Sequence, residues 1–369
     1  MSNLEKVAPT KKRSPIPALK DALACESIPL ATRFRALFSL KFIASQKPPT
    51  SEALEAIKAI ANAFSAKSAL LKHELAYCLG QTRNWDAVPF LTARIEDPKE
   101  EVIVKHEAAE ALGALGHIGS LELLKKYRDD PNVHIAVRET CELAVDRIEW
   151  EASDRSKTET IHERYEYTTF CTILRARGKV AFEMLIDYNS DFGSTDPAPA
   201  LPDDLAHRSI DQLEADLLNP KLSLFVRYRT MFALRELASP PDIPTAPRAI
   251  KALAAGFKDK SALFKHEVAF VFGQLSHPDA IPTLVAVLKD PSEADMVRHE
   301  AAEALGSLGD NEGVEDVLKQ FINDPEDVVR ESCIVALDMA EFEKSGEFDY
   351  TDIPQVEIEH TPAVAAATA

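Results

Sequence analysis

The feature that most limits what this 369-residue chain can fold into is that it repeats itself on two scales. The segment SALLKHELAYCLGQ (68–81) returns as SALFKHEVAFVFGQ (261–274), and VKHEAAEALGALG (104–116) returns as VRHEAAEALGSLG (297–309), both at an offset of 193 residues. RFRALFSL (33–40) is likewise similar to RYRTMFAL (227–234), and VRETCELAVD (137–146) to VRESCIVALD (329–338). Two homologous halves follow, 18–150 and 210–342, with a tail at 1–17, a joining segment at 151–209 and a second tail at 343–369. A shorter period runs inside each half: Lys72, Lys105 and Arg138 stand 33 residues apart, and Lys265, Arg298 and Arg330 stand 33 and 32 apart. Units of that size cannot bury an apolar face alone and must stack on their neighbours.

Each unit reads as two helices. The second starts near the basic residue, carries apolar side chains at i+3, i+4 and i+7, and ends at Gly; Asp97-Pro98, Asp130-Pro131, Asp290-Pro291 and Asp324-Pro325 break the chain upstream. Counting Arg33 and Arg227 as first members gives four units per half. The expected fold is therefore all-α, an α-solenoid of eight HEAT-type helical hairpins in two pseudo-symmetric halves. The joining segment, with EASDRSKTET and NSDFGSTDPAPALPDD, reads as a flexible linker, and the acidic, then Ala-rich C-terminal tail as disordered. The stretch 168–188 is more apolar than a linker needs and receives no assignment.

Composition narrows the function. Forty-two Lys and Arg against 60 Asp and Glu leave a net charge of −18, which argues against nucleic acid or an anionic membrane as partner and favours a basic one. There are few glycines and neither GxGxxG nor GxxxxGK, so the usual phosphate cradles are missing. Five cysteines (Cys25, Cys78, Cys141, Cys171, Cys333), widely spaced and without CxxC, fit neither a disulfide framework nor a thiolate zinc site. With no apolar leader and no membrane-length apolar run, the expected location is the cytoplasm. Lys11-Lys12-Arg13 leaves the nucleus open as a second location, although so short a run more often marks a solvated tail.

The repeats supply their own control for function. Immediately after the basic residue, the inner two units of each half carry His73-Glu74, His106-Glu107, His266-Glu267 and His299-Glu300. The outer units place Phe34-Arg35, Tyr228-Arg229, Glu139-Thr140 and Glu331-Ser332 in the same slots. A pair needed to build the unit would occur in all eight, so His-Glu is an addition to the scaffold. One such pair would be an ordinary helix start, with Glu favoured by the helix dipole. Four in register point to metal: each half offers two imidazoles and two carboxylates, and two-His-one-carboxylate suits non-haem iron. Zinc accepts the same donors, so two-metal hydrolysis stays open, as does a metal-free binding scaffold.

Other residues take plainer readings. Glu110 and Glu303, four residues after His106 and His299, read as solvated partners on the same helical face, with a role beside the metal as the alternative. Tyr77 and Phe270 read as packing, in the core or on a cleft wall. His117, His134, His162, His207, His277 and His360 lack a counterpart in the other half and read as surface residues, and the isolated cysteines as small buried hydrophobes.

The duplicated KHELAYCLGQ and RHEAAEALG motifs, with FVRYRTMFALR (225–235) and STDPAP (194–199), closely resemble the deoxyhypusine hydroxylases of eukaryotes over nearly the whole chain apart from the termini and much of 151–193. That resemblance implies a di-iron monooxygenase that uses O₂ to hydroxylate the deoxyhypusine side chain of translation initiation factor 5A, completing hypusine. It implies one iron on His73, His106 and Glu107 and the other on His266, His299 and Glu300, with Glu74 and Glu267 as substrate-binding carboxylates and Met296 near the substrate channel. The segment 156–189 is longer than the resemblance implies, and no functional residue is placed there.

Overall fold

The computed structural model describes residues 14–47, 49–159, 195–202, 208–239 and 243–345. Lys11–Arg13, His162, Cys171, the stretch 168–188, His207 and His360 lie outside them. The described residues are all-helical, and their hairpins number eight, as the periodicity predicts. In the N-terminal half these are α1 (Ile16–Ala24) with α2 (Leu30–Ala44), α3 (Ser51–Asn62) with α4 (Ala69–Gln81), α5 (Val88–Glu96) with α6 (Val102–Ala114), and α7 (Leu121–Asp129) with α8 (Ile135–Ala152). A short α9 (Asp154–Thr158) follows. The C-terminal half pairs α10 (Ile210–Leu217) with α11 (Leu224–Glu236), α12 (Ala246–Ala254) with α13 (Ala262–Leu275), α14 (Ile281–Lys289) with α15 (Asp295–Gly306), and α16 (Val314–Leu318) with α17 (Asp327–Ser345). No helix among them is long and apolar enough to cross a membrane.

The basic residue that marks the shorter period closes the hairpin in four of the eight units. Arg33 Nε donates to the Leu23 carbonyl at the end of α1 (2.9 Å), Arg138 to Arg128 of α7 (3.0 Å), Arg227 to Leu217 of α10 (2.8 Å) and Arg298 to Leu288 of α14 (3.1 Å). Each cation thus satisfies a carbonyl that the last helical turn leaves unpaired and sits at the negative end of that helix. Lys72 and Lys265 instead reach forward to the acids Glu100 and Glu101, and Glu293, ahead of the next second helix.

Gly116, which closes HEAAEALGALG, ends α6 as the pattern predicts, whereas the earlier glycines serve a different purpose. Gly80 and Gly113 lie inside α4 and α6. A Cβ on Gly80 would stand 2.7 Å from that of Ala111, and one on Gly113 3.0 Å from that of Ala144, so the second helices of successive units meet backbone to backbone. The true turn residue is Gly116, with φ +60°.

These second helices are covered on two sides, by first helices and by the opposite half, which is why α4 buries Leu70, Leu75 and Leu79 together with Lys72, His73 and Glu74. The halves meet where α8 packs on α11 and α13, and α17 on α2 and α4. Ser68 Oγ donates to Glu331 at 2.6 Å, and its equivalent Ser261 donates to Glu139 at 2.6 Å, so the duplication is also a spatial pseudo-symmetry. Tyr77 and Phe270 face one another across the interface, ring centroids 6.3 Å apart, as cleft-wall packing requires.

The flexible-linker expectation fails for residues 195–202. Thr195 N donates to Gln81 Oε1 (2.7 Å), Arg235 holds both Asp196 oxygens (3.0 and 2.8 Å), Gln274 Nε2 adds a third bond (3.3 Å), and Arg147 reaches the Asp196 carbonyl (3.2 Å). Ala198 is fully buried. Gln81 and Gln274 are equivalent residues of the two halves, so this strap crosses between them and is fixed by both.

Candidate metal centre

The four His-Glu pairs open α4, α6, α13 and α15, and the close approach of those helices gathers the imidazoles into one cluster. Ring centroids of His73 and His106 are 5.6 Å apart, and those of His266 and His299 5.4 Å. Across the interface His106 and His266 are 5.0 Å apart, and His73 stands 5.3 Å from His299 and 6.2 Å from His266. All four are buried, as are Glu74, Glu107, Glu267 and Glu300.

Glu107 Oε2 lies 3.2 Å from His73 Nε2 and 3.7 Å from His106 Nε2, and these three residues place their ligand atoms within 4.8 Å of one another. In the other half Glu300 Oε2 lies 3.3 Å from His266 Nε2. His299 groups differently: its atoms fall within 4.8 Å of Glu300 and Glu303, and in a further set of His73 and His266. The cause is Glu303, whose Oε1 lies 3.5 Å from His299 Nδ1.

Glu303 and Glu110 therefore correct their reading as solvated partners. Glu303 accepts from Ser332 Oγ at 3.0 Å, and Glu110 Oε2 is buried without a partner among the described residues. Spacing of i+4 puts a side chain on the same helical face as the histidine, and here that face turns toward the imidazole cluster, where Glu110 Oε2 is buried and Glu303 is half-buried.

Burial dominates the electrostatics. It holds the His73 imidazole down at about 4 and pushes the Glu107 carboxyl up to about 8. His106 and His299 are driven far down, by burial first and then by neighbouring imidazoles. Burial likewise raises Glu74, with Glu303 adding to it, Glu267, with Glu110 adding, and Glu300, with Glu303 adding. Neutral imidazoles beside carboxyls that give up a proton to a cation are the state a divalent metal selects.

The donor set fits such an ion. Both ring nitrogens of His73, His266 and His299, and Nε2 of His106, are buried without a hydrogen-bond partner among the described residues. Each such atom costs about 1–3 kcal/mol unless something takes it up. Four nitrogens and two carboxylates without thiolate match first-row divalent metals such as iron or zinc.

Glu74 and Glu267 flank the cluster. Glu74 accepts from the Cys78 thiol at 3.8 Å, and Glu267 Oε1 has no partner among the described residues. Cys78, Cys141 and Cys333 are buried as read, whereas Cys25 is only half-buried. Met296 is buried at the first turn of α15, three residues before His299. Of the histidines read as surface residues, His277 is buried, its Nδ1 accepting from the Asp279 amide at 3.1 Å, and His134 accepts from the Ala136 amide at the start of α8 at 3.3 Å. His117 packs edge-on against Trp85, centroids 5.3 Å apart.

Three residues escaped the sequence reading: Thr140, which pairs with His106 Nδ1 at 3.3 Å, Ser332, and Asp196 of the strap. A signal existed for two of them, since both last units carry a hydroxyl where the inner units carry the glutamate.

Comparison with known proteins identifies the family. The HEAT-repeat family model matches residues 57–145 and 246–338. The chain is 56% identical to the deoxyhypusine hydroxylase of Phaeosphaeria nodorum, with 95% of this chain and 99% of the relative covered. It is 59% identical to that of Coccidioides immitis, covering 90% and 91%. The solved structure of human deoxyhypusine hydroxylase in complex with glycerol superimposes with a TM-score of 0.70 at 41% identity, over 88% of this chain and 96% of that one. The chain belongs to the deoxyhypusine hydroxylase family.

Proposed function

We propose that this protein hydroxylates the deoxyhypusine side chain of translation initiation factor 5A to form hypusine, using two iron ions and O₂. The observation that carries this reading is the convergence of four buried imidazoles with unpartnered nitrogens across the two halves. His73, His106 and Glu107 would hold one ion, and His266, His299 and Glu300 the other. When held there, iron would supply activation of O₂ for hydroxylation of a C–H bond, one oxygen atom entering the product and the other leaving as water with two electrons from an external reductant. The chain's own residues orient the substrate and exclude water. Glu74 and Glu267, with burial disfavouring their charge, gain most from an ammonium group, and a deoxyhypusine arm carries two amines to meet them. The net charge of −18 suits a basic partner protein and would speed its encounter. Met296 is assigned to the wall of the substrate channel.

The test joins elemental analysis of the purified chain to an assay on deoxyhypusine-bearing factor 5A. About two irons per chain and O₂-dependent hypusine formation are expected. Zinc persisting after iron-replete expression, or iron without hydroxylation, would overturn the reading.

A further inference from the structure

The two halves present their imidazoles to the centre through unlike supports, each involving a hydroxyl from the last, outer hairpin that lacks His-Glu. In the N-terminal half Thr140 Oγ1 of α8 gives its hydroxyl proton to the Ala136 carbonyl at 2.8 Å, so toward His106 Nδ1, 3.3 Å away, it can only accept. The proton of His106 is thereby fixed on Nδ1, and the lone pair is left on Nε2, the nitrogen beside Glu107. In the C-terminal half the equivalent hydroxyl, Ser332 of α17, does not reach the ring. It donates to Glu303 Oε1, and that oxygen lies 3.5 Å from His299 Nδ1, a charge contact without a hydrogen bond. Glu110, the counterpart of Glu303, has no such link, and its Oε2 is unpartnered among the described residues.

We infer that Thr140 and the Glu303–Ser332 pair are positioning residues that set the ligating tautomer of His106 and His299 by different means, making the two metal positions inequivalent and that of the C-terminal half the tighter. A carboxylate behind an imidazole raises its basicity and holds its orientation, whereas a hydroxyl whose proton is already spent does so weakly. The inference rests on the metal-centre reading and adds a ranking within it. Glu303 faces Nδ1, the ring nitrogen away from an ion on Nε2, so it serves the ligand and not the metal.

The experiment is anaerobic titration of the metal-free full chain with Fe²⁺, followed calorimetrically, for the wild type, Glu303→Gln, Ser332→Ala, Thr140→Val and Thr140→Ser. The wild type should take up two ions in steps of unequal affinity. Glu303→Gln should weaken the tighter step by about 10–100-fold, Ser332→Ala should weaken it less, and Thr140→Val should weaken only the other step, with Thr140→Ser restoring it. Far-UV circular dichroism and the unfolding midpoint of the metal-free variants should match the wild type, which separates lost support from lost fold. Two equal wild-type steps, both variants weakening the same step, or complete loss of one ion in Glu303→Gln would each overturn the ranking while leaving the metal centre standing. No Fe²⁺ uptake by the wild type would overturn both.

Discussion

His73 lies closer to His299 of the opposite half, ring centroids 5.3 Å apart, than to His106 of its own, at 5.6 Å. The two proposed triads, one in each half, thus face one another across the pseudo-symmetric interface. Neither half contains both, and the contacts that seat one half on the other, such as Ser68 with Glu331 and Ser261 with Glu139, also set the separation of the triads.

Ligands and substrate carboxylates should separate by what their loss removes. His73→Ala and Glu300→Ala are expected to lose iron, at least one ion per chain, and with it all measurable hydroxylation. Glu74→Ala and Glu267→Ala should keep most of the iron and instead raise the substrate dissociation constant by tenfold or more, since each removes a charge partner of an amine. Metal content by mass spectrometry and binding of deoxyhypusine-bearing factor 5A check both halves of the statement. Emptying of the centre in the latter pair would place Glu74 and Glu267 among the ligands.

The His-Glu pairs were legible because the scaffold repeats eight times and they do not: the inner units differ from Glu139-Thr140 and Glu331-Ser332 at the same register. The hairpin count was legible for the same reason. The strap was not, because Thr195–Ala200 has no periodicity, and its burial depends on Arg147 and Arg235, which stand 49 and 39 residues away. Glu303 was misread because a helical period says which residues share a face and nothing about what covers it. Gly116 was legible as a stop, but the close crossings at Gly80 and Gly113 were not, because ALG at a helix end and ALG at a helix crossing look alike until the neighbouring alanine is placed.

The metal-free chain should weaken as pH rises from about 6.5 to about 8. His73 sits at about 4 in the folded chain against an ordinary 6.5, so between these values only the unfolded chain holds the proton and stability grows with pH. Glu107 sits at about 8 against an ordinary 4.5, so the folded chain keeps a proton that the unfolded chain has lost, and stability falls across that window. The two oppose one another up to 6.5; above it only the carboxyl remains. A bound divalent ion displaces that proton, so the loaded chain should show no such decline, and its metal affinity should rise over the same interval. Urea unfolding of both forms at pH 6.5 and 8 reads the difference.

Asp196 should matter far more to stability than its place in a nominal linker implies. It is held through both oxygens by Arg235, a buried partner, and removing it takes from that cation the carboxylate it pairs with, leaving the neutral Gln274 amide oxygen at 2.7 Å. Breaking such a pair from one side costs about 3 kcal/mol or more, so Asp196→Ala should lower the urea midpoint clearly. Asp154→Ala, which removes the exposed partner of Lys157, is the contrast and should cost less than about 1 kcal/mol. Equal effects of the two would mean that the strap merely lies on the halves without holding them.

Gly80 and Gly273 occupy the same position of the two halves but not the same space, and alanine should tell them apart. At Gly80 a Cβ would come within 2.7 Å of the Ala111 Cβ and 2.8 Å of its Cα, and a backbone atom cannot step aside without moving α6. At Gly273 the nearest atom is the Cα of Ala304, at 3.3 Å, where a shift of a few tenths of an ångström suffices. Alanine also gains about 1 kcal/mol of helix propensity over glycine in a helix interior. Gly273→Ala should therefore be close to neutral or slightly stabilising, whereas Gly80→Ala should destabilise by about 1–3 kcal/mol through overpacking. Because α4 and α6 carry His73 and His106, prying them apart at Gly80 should also weaken Fe²⁺ binding, and Gly273→Ala should leave it nearly unchanged. Thermal unfolding and the Fe²⁺ isotherm of the two variants decide the matter: equal behaviour in both would mean that the helix crossing at Gly80 does not set the ligand spacing.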